Sequence, residues 1–302
     1  MTVLEDGAAL KDRAALKDGV SLGIYEKALR AGGLASPDEW KAFFEQVPEG
    51  GFSFVDLSVD ESPEREARLD WDSARCAAVA RAAEQAGTSI GAICLSVHRK
   101  IGPGSADPAV RERAREVMAK AIRLCHDLGV GLVQIAGYYC YYEEPNPDAE
   151  RWYAQMLADA VPMCARLGVT MGIENVDGTD VTSIRKAMQF VDEINSPYLQ
   201  VYPDLGNIAE QGMDPDVELA AGRGHMVAMH AKDVRRGEPR RVAMGTGIVD
   251  WDRSFELLRG QRWSGRLMIE MWNDEAPDSA ERSAVARAFI EDRLHAAGIA
   301  TV

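Results

Sequence analysis

The sequence predicts an α/β protein folded as a single (β/α)8 TIM barrel, and three observations predict it. From Ser21 onward, short apolar runs alternate with longer amphipathic stretches, the pattern of parallel strands joined by helical crossovers. Eight such pairs follow one another, and closure into a barrel is the natural solution for eight. Four metal-capable side chains also end four consecutive runs in the second half. That is where a barrel collects its functional groups.

The strand expectations are 21–25, 52–59, 89–96, 132–137, 170–175, 199–204, 226–231 and 266–271. All are rich in Ile, Val, Leu or Met, and several are apolar nearly throughout, as strands covered on both faces must be. Helix starts fall between them. Ser36-Pro37-Asp38-Glu39 combines a cap, a proline at the first helical position and a capping-box glutamate. Asp107-Pro108, Asn146-Pro147 and Asp214-Pro215 repeat the cap-then-proline signal, and Asp250 can cap Trp251–Arg259. Gly87, Gly129 and Gly168 stand where helices should end. An open doubly wound sheet would need a glycine-rich nucleotide turn after the first strand, and Leu22-Gly23-Ile24-Tyr25-Glu26-Lys27 has none. Residues 1–19 read as an exposed extension that carries Ala-Ala-Leu-Lys-Asp twice, leaving 20–302 for one catalytic barrel.

Bulk properties narrow the function. A net charge of −14 over 302 residues argues against nucleic acid, because phosphate neutralisation needs a basic surface. No apolar run approaches membrane-spanning length, and the N-terminus lacks the regions of a signal peptide. A cytoplasmic protein with a small-molecule ligand is expected. Cys76, Cys94, Cys125, Cys140 and Cys164 are scattered, with no C-x-x-C. They read as buried reduced thiols.

The chemistry concentrates at the ends of strands five to eight. Glu174, Asp204, His230 and Glu270 are separated by roughly 26 to 40 residues, each about one strand-plus-helix unit. Three carboxylates gathered in one small volume would repel unless a cation sits among them. Oxygens with one imidazole suit a divalent ion such as Mn2+, Co2+ or Zn2+. Lys232 can orient a ligand, bind substrate or form a rim salt bridge. Asn207 can meet a substrate hydroxyl or cap a helix. His98 and Arg99, just past the third strand, and the basic segment 235–241, which includes Arg236, are candidates for a polar or phosphate-bearing substrate. Tyr138, Tyr139, Tyr141 and Tyr142 could wall a sugar pocket or form a subunit contact.

At several runs the chain resembles the L-ribulose-5-phosphate 3-epimerase (L-xylulose-5-phosphate 3-epimerase) and hexulose-6-phosphate isomerase family of the xylose-isomerase-like barrels. The runs include Gly23-Ile24-Tyr25-Glu26-Lys27-Ala28-Leu29, Phe54-Val55-Asp56-Leu57-Ser58-Val59-Asp60-Glu61-Ser62, Cys94-Leu95-Ser96-Val97-His98-Arg99, His230-Ala231-Lys232-Asp233 and Ile269-Glu270-Met271-Trp272. The resemblance implies one divalent metal ion (Mn2+, Zn2+, Co2+ or Mg2+) on Glu174, Asp204, His230 and Glu270, and no organic cofactor. It implies Glu174 and Glu270 as the acid/base pair for epimerising a ketopentose 5-phosphate at C3, through an enediolate held by the metal. Tyr25, His98, Arg99, Asn207, Lys232 and Arg236 would contact substrate, and the chain would form a homodimer. Aldose–ketose isomerisation of a hexulose 6-phosphate and 3-epimerisation of an unphosphorylated ketose are the alternatives. A catalytically silent sugar-binding barrel is the reading from another class. The chain departs from the family after the fifth strand, where Glu174-Asn175-Val176-Asp177-Gly178-Thr179 replaces the usual Glu-Ile-Met-Asp-Thr.

Overall fold

A computed structural model describes residues 19–32, 34–144 and 146–302. Apart from Gly19, the expected extension lies outside the described residues. Eight parallel strands, β1 (Val20–Tyr25), β2 (Phe54–Val59), β3 (Ser89–Leu95), β4 (Leu132–Ala136), β5 (Thr170–Glu174), β6 (Leu199–Val201), β7 (Met229–Ala231) and β8 (Gly265–Ile269), form one sheet. Their order is β6-β5-β4-β3-β2-β1-β8-β7. The ring closes between β6 and β7 through two single parallel bridges, Val201 to Met226 and Asp204 to His230. These two strands are shorter than their apolar runs. Pro203 has no N–H to give a ladder, although its carbonyl accepts from the His230 amide at 2.8 Å.

The helices are α1 (Pro37–Glu49), α2 (Pro63–Glu66), α3 (Ser73–Gln85), α4 (Pro108–Leu128), α5 (Ala149–Leu167), α6 (Ile184–Ile194), α7 (Leu205–Glu210), α8 (Pro215–Ala221), α9 (Trp251–Gln261) and α10 (Ser279–Ala296). The capping box at Ser36/Glu39 forms, and Asp107, Asp214 and Asp250 accept from first-turn amides. α5 begins later than its proline signal suggests. Asn146 instead accepts the Asp148 amide at 2.9 Å in a turn, and the helix starts at Ala149. Gly129 and Gly168 end α4 and α5 in left-handed geometry.

The main core lies between sheet and helices. On α1, Trp40, Phe43, Phe44 and Val47 are buried, the spacing of one helical face. Each such side chain stabilises the fold by roughly 1.5–3 kcal/mol. The barrel interior is a separate packing problem, filled by Tyr25, Phe54, Cys94 and Met268 in one cluster and Ala92, Leu132, Tyr202 and Ala228 in another. Its bulk is accommodated by strand glycines. A Cβ on Gly91 would lie 2.4 Å from both Asp56 Oδ1 and the Phe54 ring. All five cysteines are buried and free. Among the described residues no helix is long and apolar enough to cross a membrane.

Candidate active site

Glu174 is the last residue of β5, Asp204 stands past the end of β6 at the start of α7, His230 lies within β7, and Glu270 follows β8 directly. Each offers one donor atom, and the four atoms lie within 4.8 Å of one another. His230 Nδ1 is 2.9 Å from Glu174 Oε1 and 3.8 Å from Asp204 Oδ2. Gln134 on β4 donates to Glu174 Oε2 at 2.6 Å. Asp204 caps α7, its Oδ1 accepting the Asn207 amide at 2.8 Å, which leaves Oδ2 for the centre. Lys232 Nζ sits 2.8 Å from Asp204 Oδ2 and 3.3 Å from Glu270 Oε2.

The crowding of acids sets the protonation. Burial pushes the Asp204 carboxyl up to about 7, with Glu270 and Glu174 adding to the rise against Lys232. For His230, burial opposes the charge, yet Glu174, Glu270 and Asp204 carry the imidazole up to about 9. The Lys232 ammonium is likewise favoured by Asp204 and Glu270 despite its burial. Burial would raise the Glu270 carboxyl, but Lys232 and His230 hold it below its ordinary value. Asp204 Oδ2 and Glu270 Oε2 are both buried, and they share the single ammonium of Lys232. A mixed oxygen and imidazole set of this kind suits a divalent ion.

Above the quartet opens a cavity of about 410 Å³. Tyr25, Arg99, Asn207 and Lys232 line it, as the sequence suggests. Two expected contacts do not. His98 is fully buried, with Nε2 3.2 Å from the Ala114 carbonyl of α4, and burial lowers its imidazole to about 4. The tight turn Val97–Arg99 after β3 directs it into packing. Arg236 is exposed and flanks a different groove, beside Gly212 and Met213. The basic segment instead presents Arg240 and Arg241 to the cavity.

Asn207 is neither free nor a cap. Its oxygen accepts from Lys232 at 3.0 Å and its amide donates to the Asn175 carbonyl at 2.8 Å. The departure after the fifth strand also finds its place here. The Asn175 side chain pairs with both backbone groups of Asp204, at 2.9 and 3.0 Å, and so ties one donor residue to the next strand. Asp177 accepts from Tyr138 and from Arg240, the latter at 2.8 Å to Oδ2. Among the tyrosines, Tyr138 lines the cavity, Tyr139 packs on Tyr153 and Phe190, and Tyr142 is exposed. Sequence reasoning missed Gln134, Lys27, Arg65 and Trp272 as lining residues. Gln134 had a usable signal, a polar side chain inside an otherwise apolar strand.

The sequence profile of the xylose isomerase-like TIM barrels matches residues 44–292. The chain is 39% identical over 284 residues to L-ribulose-5-phosphate 3-epimerase UlaE of Escherichia coli O157:H7 (strain EC4115 / EHEC), covering 94% of this chain and 98% of that one. The enzyme of the same name from Escherichia fergusonii matches at the same identity and coverage. Among solved structures, an L-ribulose 3-epimerase superposes with a TM-score of 0.78 at 21% identity, over 92% of this chain and 96% of that one. D-psicose 3-epimerase from Clostridium cellulolyticum H10 gives 0.76 at 14% identity, over 91% and 99%. At such identities the structural likenesses establish the fold, whereas the sequence relatives are sugar epimerases and place this chain among the isomerases. The chain therefore belongs to the L-ribulose-5-phosphate 3-epimerase family of the xylose isomerase-like TIM barrels.

Proposed function

We propose that this protein epimerises a ketopentose 5-phosphate at C3, interconverting L-ribulose 5-phosphate and L-xylulose 5-phosphate, with one divalent metal ion. The observation that carries the reading is that Glu174 and Glu270 arrive from different strands at one cavity floor and are held by different partners, Gln134 and His230 for the first and Lys232 for the second. Inversion at carbon needs a proton removed on one face and returned on the other. Two separately held carboxylates suit that task. An ion held by Glu174, Asp204, His230 and Glu270 would supply Lewis acidity to the oxygens flanking the C3 hydrogen.

The remaining work belongs to the chain. Lys232 holds Glu270 ionised, ready to accept a proton. Gln134 holds the Glu174 carboxylate from β4. Tyr25, Tyr138 and Trp272 wall the cavity. Lys27, Arg65, Arg99, Arg240 and Arg241 line it as well, a cationic ring on a chain of net charge −14, and it suits a phosphate.

One observation favours a second reading, 3-epimerisation of a free ketose. Each of those cations already has an acidic partner, Asp60 for Lys27, Glu26 for Arg65, Glu61 for Arg99, Asp177 for Arg240 and Asp274 for Arg241. The deciding experiment is proton NMR of L-ribulose 5-phosphate in D2O with Mn2+-, Co2+- or Zn2+-loaded protein. Deuterium at C3 with L-xylulose 5-phosphate appearing is expected. Label at C1 with aldose formation would move the assignment to an isomerase. Exchange with L-ribulose but not its phosphate would select the free-sugar reading.

A further inference from the structure

Beneath the quartet, His230 also belongs to a second group of polar side chains, whose other two members, Asp56 and Cys94, have no part in the reaction above. Asp56 on β2, Cys94 on β3 and His230 offer donor atoms within 4.8 Å of one another. All three residues are buried, at 1%, 3% and 1% exposure. His230 Nδ1 faces Glu174, so Nε2 is the ring nitrogen left over, and it has no hydrogen-bond partner. Asp56 Oδ1 is also buried without one. The other oxygen, Oδ2, is held by the Tyr202 hydroxyl at 2.9 Å. Tyr202 also packs edge-on against the His230 ring, centroids 4.5 Å apart. The room for this carboxylate is built in, because any Cβ at Gly91 would collide with Asp56 Oδ1.

We propose that Asp56 is the positioning residue for His230, its carboxylate accepting a hydrogen bond from Nε2–H so that Nδ1 is presented to a divalent ion, with Tyr202 as the brace that orients the carboxylate. The inference rests on the metal-site reading of the quartet. A metal-bound imidazole ordinarily gives its second N–H to a carboxylate or carbonyl, which fixes the tautomer and makes the ligating nitrogen more basic. A buried ring nitrogen and a buried carboxylate oxygen, each unpaired within one small cluster, are the two halves of that arrangement. The same trio could be taken as a second cation site with Cys94 as a ligand. That fits less well. Tyr202 already occupies one Asp56 oxygen, and the positive charge of Arg266 acts on the same carboxylate.

The test is a calorimetric titration of metal-free full-length protein with Mn2+ and Zn2+, paired with proton NMR of the Zn2+-loaded form. Wild type should bind one ion and show a slowly exchanging low-field imidazole N–H. Asp56→Asn should bind the ion 10- to 100-fold more weakly, lose or shift that resonance, and keep its circular dichroism spectrum. Tyr202→Phe should move both readouts the same way by a smaller factor, and it decides the matter if the Asp56 variant does not fold. Unchanged affinity and an unchanged N–H signal in the variant that folds would overturn the proposal. A second ion bound by wild type and lost in Cys94→Ser would replace it with a metal site. If wild type bound no divalent ion, the metal-site reading itself would fall, which is a different result from a wild type that binds and variants that bind equally well.

Discussion

The two sides of the barrel mouth treat charge in opposite ways. On the β1–β3 side the charges are closed among themselves. Glu26, 1% exposed, accepts from Arg65 Nε at 2.6 Å, from Arg68 and from the Ser58 amide at 2.6 Å. Asp60 pairs with Lys27 and accepts from the Ser62 amide and hydroxyl. On the β5–β8 side three carboxylates share one lysine and one histidine. A buried charge is tolerated when its partners satisfy it and is costly when they do not. The first arc is a finished structural network. The second has a donor set that suits a divalent cation.

The largest test of this contrast is at the donor set. Glu174→Gln and Glu270→Gln should each lower turnover by about 10³-fold or more, while circular dichroism and melting show the fold intact. Near-normal rates from either variant would sink the two-glutamate mechanism. Next comes the closed arc. Glu26→Gln should destabilise the protein by about 3–5 kcal/mol, because two guanidinium groups lose their buried counter-charge. Urea denaturation would measure it, and metal stoichiometry should stay unchanged. A stable Glu26→Gln protein would mean that the network is not closed in the sense described.

Arg240, on the loop after β7, pairs with Asp177 beyond β5. Arg240→Ala should raise KM for a phosphorylated ketose about 10-fold or more and leave a free ketose nearly unaffected. Arg236→Ala should change neither. Equal effects of Arg240→Ala on both sugars would remove the phosphate role.

The smallest effect is in the pH dependence of stability, and its sign differs between the arcs. The Asp60 carboxyl sits at about 2, because Lys27 and Ser62 outweigh burial. Its contribution is present above the ordinary aspartate range and is lost as pH falls toward 2. The His230 imidazole is raised to about 9. Its contribution is fully present below about 6.5 and is lost as pH rises through 9. The metal-free protein should therefore lose melting temperature on the alkaline side between those values. The loaded protein should not, since an ion on Nδ1 has already displaced that proton. Differential scanning calorimetry with and without a chelator reads both limbs.

The fold was legible because burial on both faces leaves each strand nearly uniformly apolar, and because serine and aspartate caps mark the helix starts. The donor quartet was legible for a related reason, since a charge at the end of such a strand stands out. What the sequence hid depends on direction. His98 follows a strand just as Glu270 does, yet a tight turn sends its ring under α4. Arg236 and Arg240 sit in one basic run, and only the path of the loop separates exposed from engaged. Asp56 lies inside the second strand, and its partner Tyr202 is 146 residues away. No periodicity reports a meeting of that kind.

The seam between β6 and β7 has a consequence for assembly. Seven strand pairs are held by ladders, while this one rests on single bridges, and two of the donor residues, Asp204 and His230, face each other across it. An ion joining those two side chains would be a rivet through the last joint of the barrel. Loading and closure would then be one event. Amide exchange at Val227 and His230, whose N–H groups cross the seam, would report occupancy before any sugar was added, and a copy that lost its ion would breathe first along this line.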